Sequence, residues 1–274
     1  MPGPDPDSPP PLPAAGPPPL PFEPQTSDPL PPLPEARAWG VWATLGLTLL
    51  LFGAILGAQM IALVFYAAGL AAMGKGVNPA AIEGDGLFLA IATCISTPVT
   101  VGLAVLFAWM KRSLPVRDYL RLRPVARKDL ARWLMVMALF IPLSDCVSWL
   151  LGQEVVPEVM INIYQSTSWK SLLVFVMLVM APIGEEFMFR GFMFEGLMRS
   201  KLGPVGAVVL TSVTWAAIHF QYGLYGQAVV CAGGLVLGWA RVRTGSLVTP
   251  MVMHAVMNLV ATAEMVWVLH GRGV

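Results

Sequence analysis

Charged residues are what this chain has least of. Only 12% of its 274 residues are Asp, Glu, Lys or Arg, while 56% are hydrophobic and the mean hydropathy is +0.69. A soluble domain carries about twice that charged share, so a water-exposed globule is excluded and most of the chain expects lipid as its solvent. The formal net charge of +1, with no basic patch interleaved with aromatics, speaks against a nucleic-acid partner. Cysteine is sparse too. Cys94, Cys146 and Cys231 each lie in an apolar run, without disulfide-framework or metal-knuckle spacing, and read as small buried apolar residues. There is no HExxH zinc helix, no internal repeat, and no serine in a GxSxG turn; Ser212 merely precedes His219, so serine hydrolysis is disfavoured.

Basic residues are missing altogether from residues 1–34, which are rich in proline and carry Asp5, Asp7, Glu23 and Asp28. A signal peptide needs a positive n-region and an early apolar core, so none is read here. Residues 1–37 are expected to be a disordered proline-rich tail, a spacer in the first instance and a ligand for a proline-binding partner in the second. Residues 38–270 are expected to form a helical membrane domain.

What is present is a series of seven apolar segments, at about 39–72, 87–110, 131–151, 171–199, 204–221, 225–240 and 246–269. About 20 helical residues cross a bilayer core. The first and fourth segments exceed this, leaving room for an eighth short element. The expected fold is therefore all-α, a polytopic bundle of seven to eight transmembrane helices. The loop from Lys111 to Arg132 holds eight basic residues against Asp118 and Asp129, which puts it in the cytoplasm by the positive-inside rule. Arg199, Lys201, Arg241 and Arg243 then fall on the same side, as does the N-terminal tail. Short patterns such as GAVVL and GLVLG read as close helix packing in lipid.

Against that background the stretch APIGEEFMFRG, Ala181 to Gly191, is costly, because ionisable residues deep in a bilayer are expensive and mark function. Glu186 and Arg190 are four apart, on one helix face, and suit an ion pair. Glu185 points about 100° away and is the freer carboxylate, suited to general-base work. His219 is expected at nearly the same depth on the next span. His254 and Asn258 are four apart on the last one, where they can bind an oxyanion, polarise a carbonyl or act as interhelical glue. His270 lies beyond the last span and reads as a surface residue. Two carboxylates, two histidines and an amide are the parts needed to activate water against an amide bond. Two His and one Glu would equally make a zinc shell.

Three motifs in order carry a resemblance. Glu185-Glu186-Phe187-Met188-Phe189-Arg190 fits EExxxR, Trp215 to His219 looks like FxxxH with Trp in place of Phe, and His254 to Asn258 fits HxxxN. Over roughly Val174 to Val260 the chain resembles the CAAX-protease and bacteriocin-processing family, also called the Rce1-like or Abi family, with its motif-bearing core at about 171–260. The resemblance implies a multi-helix intramembrane endopeptidase of the bacterial cytoplasmic membrane, acting near the C-terminus of membrane-anchored or lipidated proteins. It makes Glu185 the general base with His219 helping to activate water, Glu186 and Arg190 the supporting pair, and His254 with Asn258 the oxyanion side. Trp215 keeps an aromatic one turn before His219. The expected reaction needs no cofactor. The alternatives are a zinc enzyme using Glu185, His219 and His254, and a non-enzymatic immunity or scaffold protein.

Overall fold

The computed structural model describes residues 38–76, 82 and 84–272; the tail read as disordered lies outside them. Every regular element among the described residues is helical. The order is α1 (Val41–Ala72), α2 (Gly86–Met110), the short α3 (Val116–Tyr119), α4 (Arg127–Leu150), α5 (Glu158–Ser166), the long rod α6 (Lys170–Met198), α7 (Gly203–Ala217), α8 (Gly223–Thr244) and α9 (Val248–Gly271). Among the described residues six helices are long and apolar enough to cross a membrane, α7 being a shorter apolar helix. These coincide with the seven expected segments; the short α5 lies between the third and fourth of them, not within the first or fourth, where room for an extra element was expected.

Lipid explains the outer surface. Leu50 and Phe65 on α1, Leu139 and Trp149 on α4, and Trp267 on α9 are exposed, an apolar display that water would not tolerate over a whole bundle. This is a multi-pass membrane protein. The same solvent corrects one expectation: Cys146 is exposed, and Cys94 and Cys231 are only half-buried. In a bilayer a small apolar side chain needs no protein cover.

The rod α6 is the axis of the bundle, and Met188 to Leu197 are buried without interruption. It is not a uniform α-helix. Val176–Met180 and Phe187–Met193 are π-helical turns on either side of the α-helical Ala181–Glu186. Pro182 accounts for the first, because its ring displaces the carbonyl four residues earlier and it has no N–H to donate. Thr97 Oγ1 of α2 donates to the Met180 carbonyl at 3.2 Å and so takes up one of the loosened backbone groups. Small residues bring helices close as expected. A Cβ added to Gly238 of α8 would meet Val208 of α7 at 3.1 Å.

The basic loop is docked rather than loose. Arg121, at φ 54°, turns its carbonyl to accept from Leu247 N at 2.9 Å, and Ser246 Oγ donates to the Arg123 carbonyl. At the opposite end, Asp85 caps α2 by accepting from Leu87 N and Phe88 N at 2.9 and 3.0 Å, and Tyr66 of α1 donates to its other oxygen at 2.7 Å.

Candidate active site

The short α-helical piece of α6 aims two adjacent carboxylates differently. Glu186 points into protein and is fully buried; Glu185, about 100° around the axis, keeps 26% of its side chain exposed on a cavity of about 790 Å³. Glu186 Oε1 accepts from Arg190 Nη1 at 2.9 Å and from His254 Nδ1 at 3.0 Å. A carboxylate can only accept, so the proton on this side of the His254 ring sits at Nδ1. The ring's other nitrogen, Nε2, is thereby turned to Glu185, 3.9 Å from Oε2. The second Glu186 oxygen and Arg190 Nε have no partner among the described atoms.

Arg190 is fully buried. It is held by Glu186, by the Gly234 carbonyl at 3.3 Å and by the face of Trp215, 4.6 Å from ring centroid to guanidinium carbon, a cation–π contact strengthened by the absence of water. Trp215 also corrects the view of Glu185 as an unpaired acid: its indole N–H donates to Glu185 Oε2. Its ring meets both His219 and His254 edge-on, at 5.2 and 5.1 Å.

His219 is displaced from its expected place on a helix. α7 ends at Ala217, and His219 stands in the turn that follows, leading into the 3-10 turn Phe220–Tyr222 and Gly223 at φ 67°. A helix end leaves its last carbonyls unpaired. His219 Nδ1 answers one of them, donating to the Trp215 carbonyl at 2.8 Å, which leaves Nε2 as the ring's acceptor. Asn258, on α9 one turn beyond His254, spends one amide hydrogen on the Met177 carbonyl of the first π turn at 2.8 Å; its amide carries a second.

The structure thus joins Glu185, Glu186, Arg190, Trp215 and His254 in one bonded or adjoining group, and sets His219 and Asn258 on the wall of the same cavity. The three groups of the expected zinc shell, Glu185, His219 and His254, do not converge in the same way. Among the described residues no three His, Cys, Asp or Glu side chains are arranged to hold a metal ion, and no step below runs through one. His270 lies at the far end of α9, exposed and outside the cavity lining.

Sequence reasoning missed the rest of the wall. Asp145 of α4 and Glu264 of α9 share a hydrogen bond, and both line the cavity together with Glu154. Asp145 and Glu264 are ionisable residues within apolar spans, so the argument that singled out Glu185 applied to them as well. No such signal exists for the Glu186–His254 bond, whose partners are 68 residues apart.

Comparison with known proteins follows the same residues. Residues 167–260 match the family described as Type II CAAX prenyl endopeptidase Rce1-like. This is a likeness of the motif-bearing part of the chain, in which Glu185, His219, His254 and Asn258 all lie. An Escherichia coli relative, described only as an uncharacterized 24.3 kDa protein, is 30% identical over 126 residues, covering 44% of this chain and 52% of the relative. The chain therefore spans about half the length of that relative. No solved structure matches.

Proposed function

We propose that this Rce1-like chain is an intramembrane endopeptidase that hydrolyses peptide bonds of membrane-anchored or lipidated proteins near their C-terminus with water activated by Glu185. The observation that carries the reading is the pairing of a partly exposed Glu185 carboxylate with His254 Nε2 at 3.9 Å, on a cavity large enough for a peptide segment. Glu185 takes a proton from water, assisted by the Nε2 acceptor of His219, and the hydroxide attacks the peptide carbonyl. The resulting oxyanion is bound on the side of His254 and Asn258, where the second Asn258 N–H donates to it. Glu185 then returns its proton to the amine nitrogen as the C–N bond breaks. Glu186, Arg190 and Trp215 keep these groups oriented.

The reaction is proposed to need no metal, since a carboxylate and neighbouring imidazoles suffice for water activation. The orientation we propose has the Lys111–Arg132 loop in the cytoplasm of a bacterial cell, in keeping with its charge and with the Escherichia coli relative. The N-terminal tail is then cytoplasmic as well.

The test is Glu185→Gln in purified, folded protein, assayed against a library of membrane-anchored peptides. Loss of cleavage by at least about 100-fold is expected for removal of a general base. Undiminished cleavage removes Glu185 from the mechanism, and a physiological activity that survives the substitution supports the immunity or scaffold reading. Exhaustive chelation with metal content measured on the same sample should leave the rate unchanged. A rate lost on chelation and restored by zinc overturns the metal-independent form.

A further inference from the structure

The membrane orientation proposed above and the shape of the cavity, taken together, say from which side the substrate comes. We propose that the cavity admits polypeptide from the non-cytoplasmic face, so that the substrate is a segment of a membrane-anchored protein already carried across the bilayer. The inference rests on the peptidase reading for its chemistry and on the positive-inside orientation for its direction.

None of α1, α2 and α4 lines the cavity near its cytoplasmic end. α1 contributes from Phe52 onward and α4 from Phe140 onward, roughly 16 and 20 Å above their cytoplasmic ends at 1.5 Å per residue. α2 runs the other way and contributes nothing beyond Thr100, which stops it roughly 15 Å short of its cytoplasmic end. At the far end the wall is made of Glu154, Val155 and Pro157 from the loop between α4 and α5 and of Gln221 after α7. Glu154 and Gln221 are exposed.

The cytoplasmic end is sealed. Below Glu185, α6 is buried from Met188 to Leu197, packed by Phe189, Phe192 and Phe194 against α1, α2 and Tyr119 and Leu120 at the end of α3. Beneath that layer Glu195 is bound by Arg121, Arg199 and Arg241 at 3.2, 2.7 and 3.2 Å. A cytoplasmic peptide would have to break this cross-link and open an aromatic layer to reach Glu185. A peptide from the other side meets an open mouth.

The cavity's charge agrees with this direction. Among the described residues its lining includes Asp145, Glu154, Glu185 and Glu264 and no Lys or Arg, whereas the sealed end of the molecule is the arginine-rich one. Leu56 and Leu89, both exposed to lipid and both part of the wall, give the substrate's apolar anchor a place beside the mouth. The reaction that must supply this substrate is export: a transport step has to put the scissile segment outside before the peptidase can act on it.

The experiment is thiol labelling of intact cells with a membrane-impermeant maleimide. Cys94, Cys146 and Cys231 are replaced by alanine, and single cysteines are introduced by Gln221→Cys at the mouth, Met257→Cys on the part-buried inner wall and Lys201→Cys on the arginine-rich side. The expected result is labelling of Gln221→Cys and Met257→Cys from outside, with Lys201→Cys labelled only after lysis. Labelling of Lys201→Cys from outside overturns the orientation. Protection of both cavity cysteines in intact cells, with labelling in inside-out vesicles, overturns the outward cavity. A second arm adds fluorogenic lipid-anchored peptides to right-side-out and to inside-out vesicles. Cleavage is expected in the first and lost in the second, and the reverse pattern overturns the proposal. Absence of cleavage in both defeats the peptidase reading, and with it the substrate assignment, while the labelling still reports the direction of the cavity.

Discussion

At position 215 an indole does what a phenyl ring cannot. Trp215 fills a fully enclosed space, carries the Arg190 guanidinium on its face and still has an N–H for Glu185. Trp215→Phe keeps an aromatic ring there and removes that hydrogen bond. A hydrogen bond to a charged group contributes about 1.5–3 kcal/mol, so kcat is expected to fall roughly 10- to 100-fold as Glu185 loses its fixed orientation, with KM little changed. Steady-state kinetics on a cleaved peptide check it, and an unchanged kcat removes Trp215 from the role of positioning residue. The three motifs were legible because each is a local pattern in apolar sequence. Glu186 and Arg190 could be paired from their spacing alone, since four residues return to the same helix face. The partners that define the site geometry were not legible: Trp215 reaches Glu185 across 30 residues and His254 reaches Glu186 across 68, distances that only tertiary packing sets.

Among the elements, the hydrophobic segments were readable because a bilayer imposes their length, and the structure departs from them where local chemistry intervenes. The fifth segment was expected to run to 221, yet α7 stops at Ala217, where His219 caps a carbonyl and Gly223 takes a positive φ. Periodicity could not reveal this, because large apolar residues, Ile218 and Phe220, continue past the helix end. Close packing of α1 on α6 gives a separate prediction. A Cβ at Gly196 would lie 2.0 Å from Thr44 Oγ1, so Gly196→Ala must push α1 away. A cost of about 1–3 kcal/mol is expected for such overpacking, read as a lower melting temperature in detergent. Adding Thr44→Gly should recover part of it; no recovery would mean the loss arises elsewhere. At the outer end, α5 is tied to the C-terminal end of α9 by Arg272 Nη2 and Glu158 Oε1 at 2.8 Å. The hydrogen bond from Arg272 holds the Glu158 carboxyl below its usual 4.5. The folded value being the lower one, the tie contributes fully above 4.5 and is lost as pH falls through the folded value. The protection of the α5 amides from hydrogen exchange, taken relative to the intrinsic rate at each pH, should fall over that acid range and not between neutrality and 4.5. Glu158→Gln should abolish the acid step.

The described helical bundle is organised along its axis, with an acidic cavity towards one end and a cross-linked arginine layer at the other. The charge asymmetry was legible, since it needs only a count of basic residues between apolar segments. That three of those arginines converge on one buried acid was not, because Arg121, Arg199 and Arg241 come from three separate segments. Arg241 extends the layer to the active-site rod: its Nε donates to the Arg190 carbonyl at 3.1 Å. Glu195 therefore joins the basic loop, α6 and α8, and it is fully buried. Glu195→Gln keeps the shape and removes the carboxylate that these arginines share, the counter-charge of the buried Arg241. Breaking one side of a buried ionic group typically costs about 3–5 kcal/mol, so a large fall in melting temperature is expected. Replacing the charges together, as Glu195→Leu with Arg241→Leu, should cost less than Glu195→Gln alone if desolvated charge is the cause. Thermal unfolding of the two variants in one detergent decides it. If the double variant is the less stable, the layer acts through the Arg241 bond to the Arg190 carbonyl rather than through charge balance. Activity separates the same two causes, because a variant that keeps its fold but loses the Arg190 tether should lose kcat through Glu186 and His254.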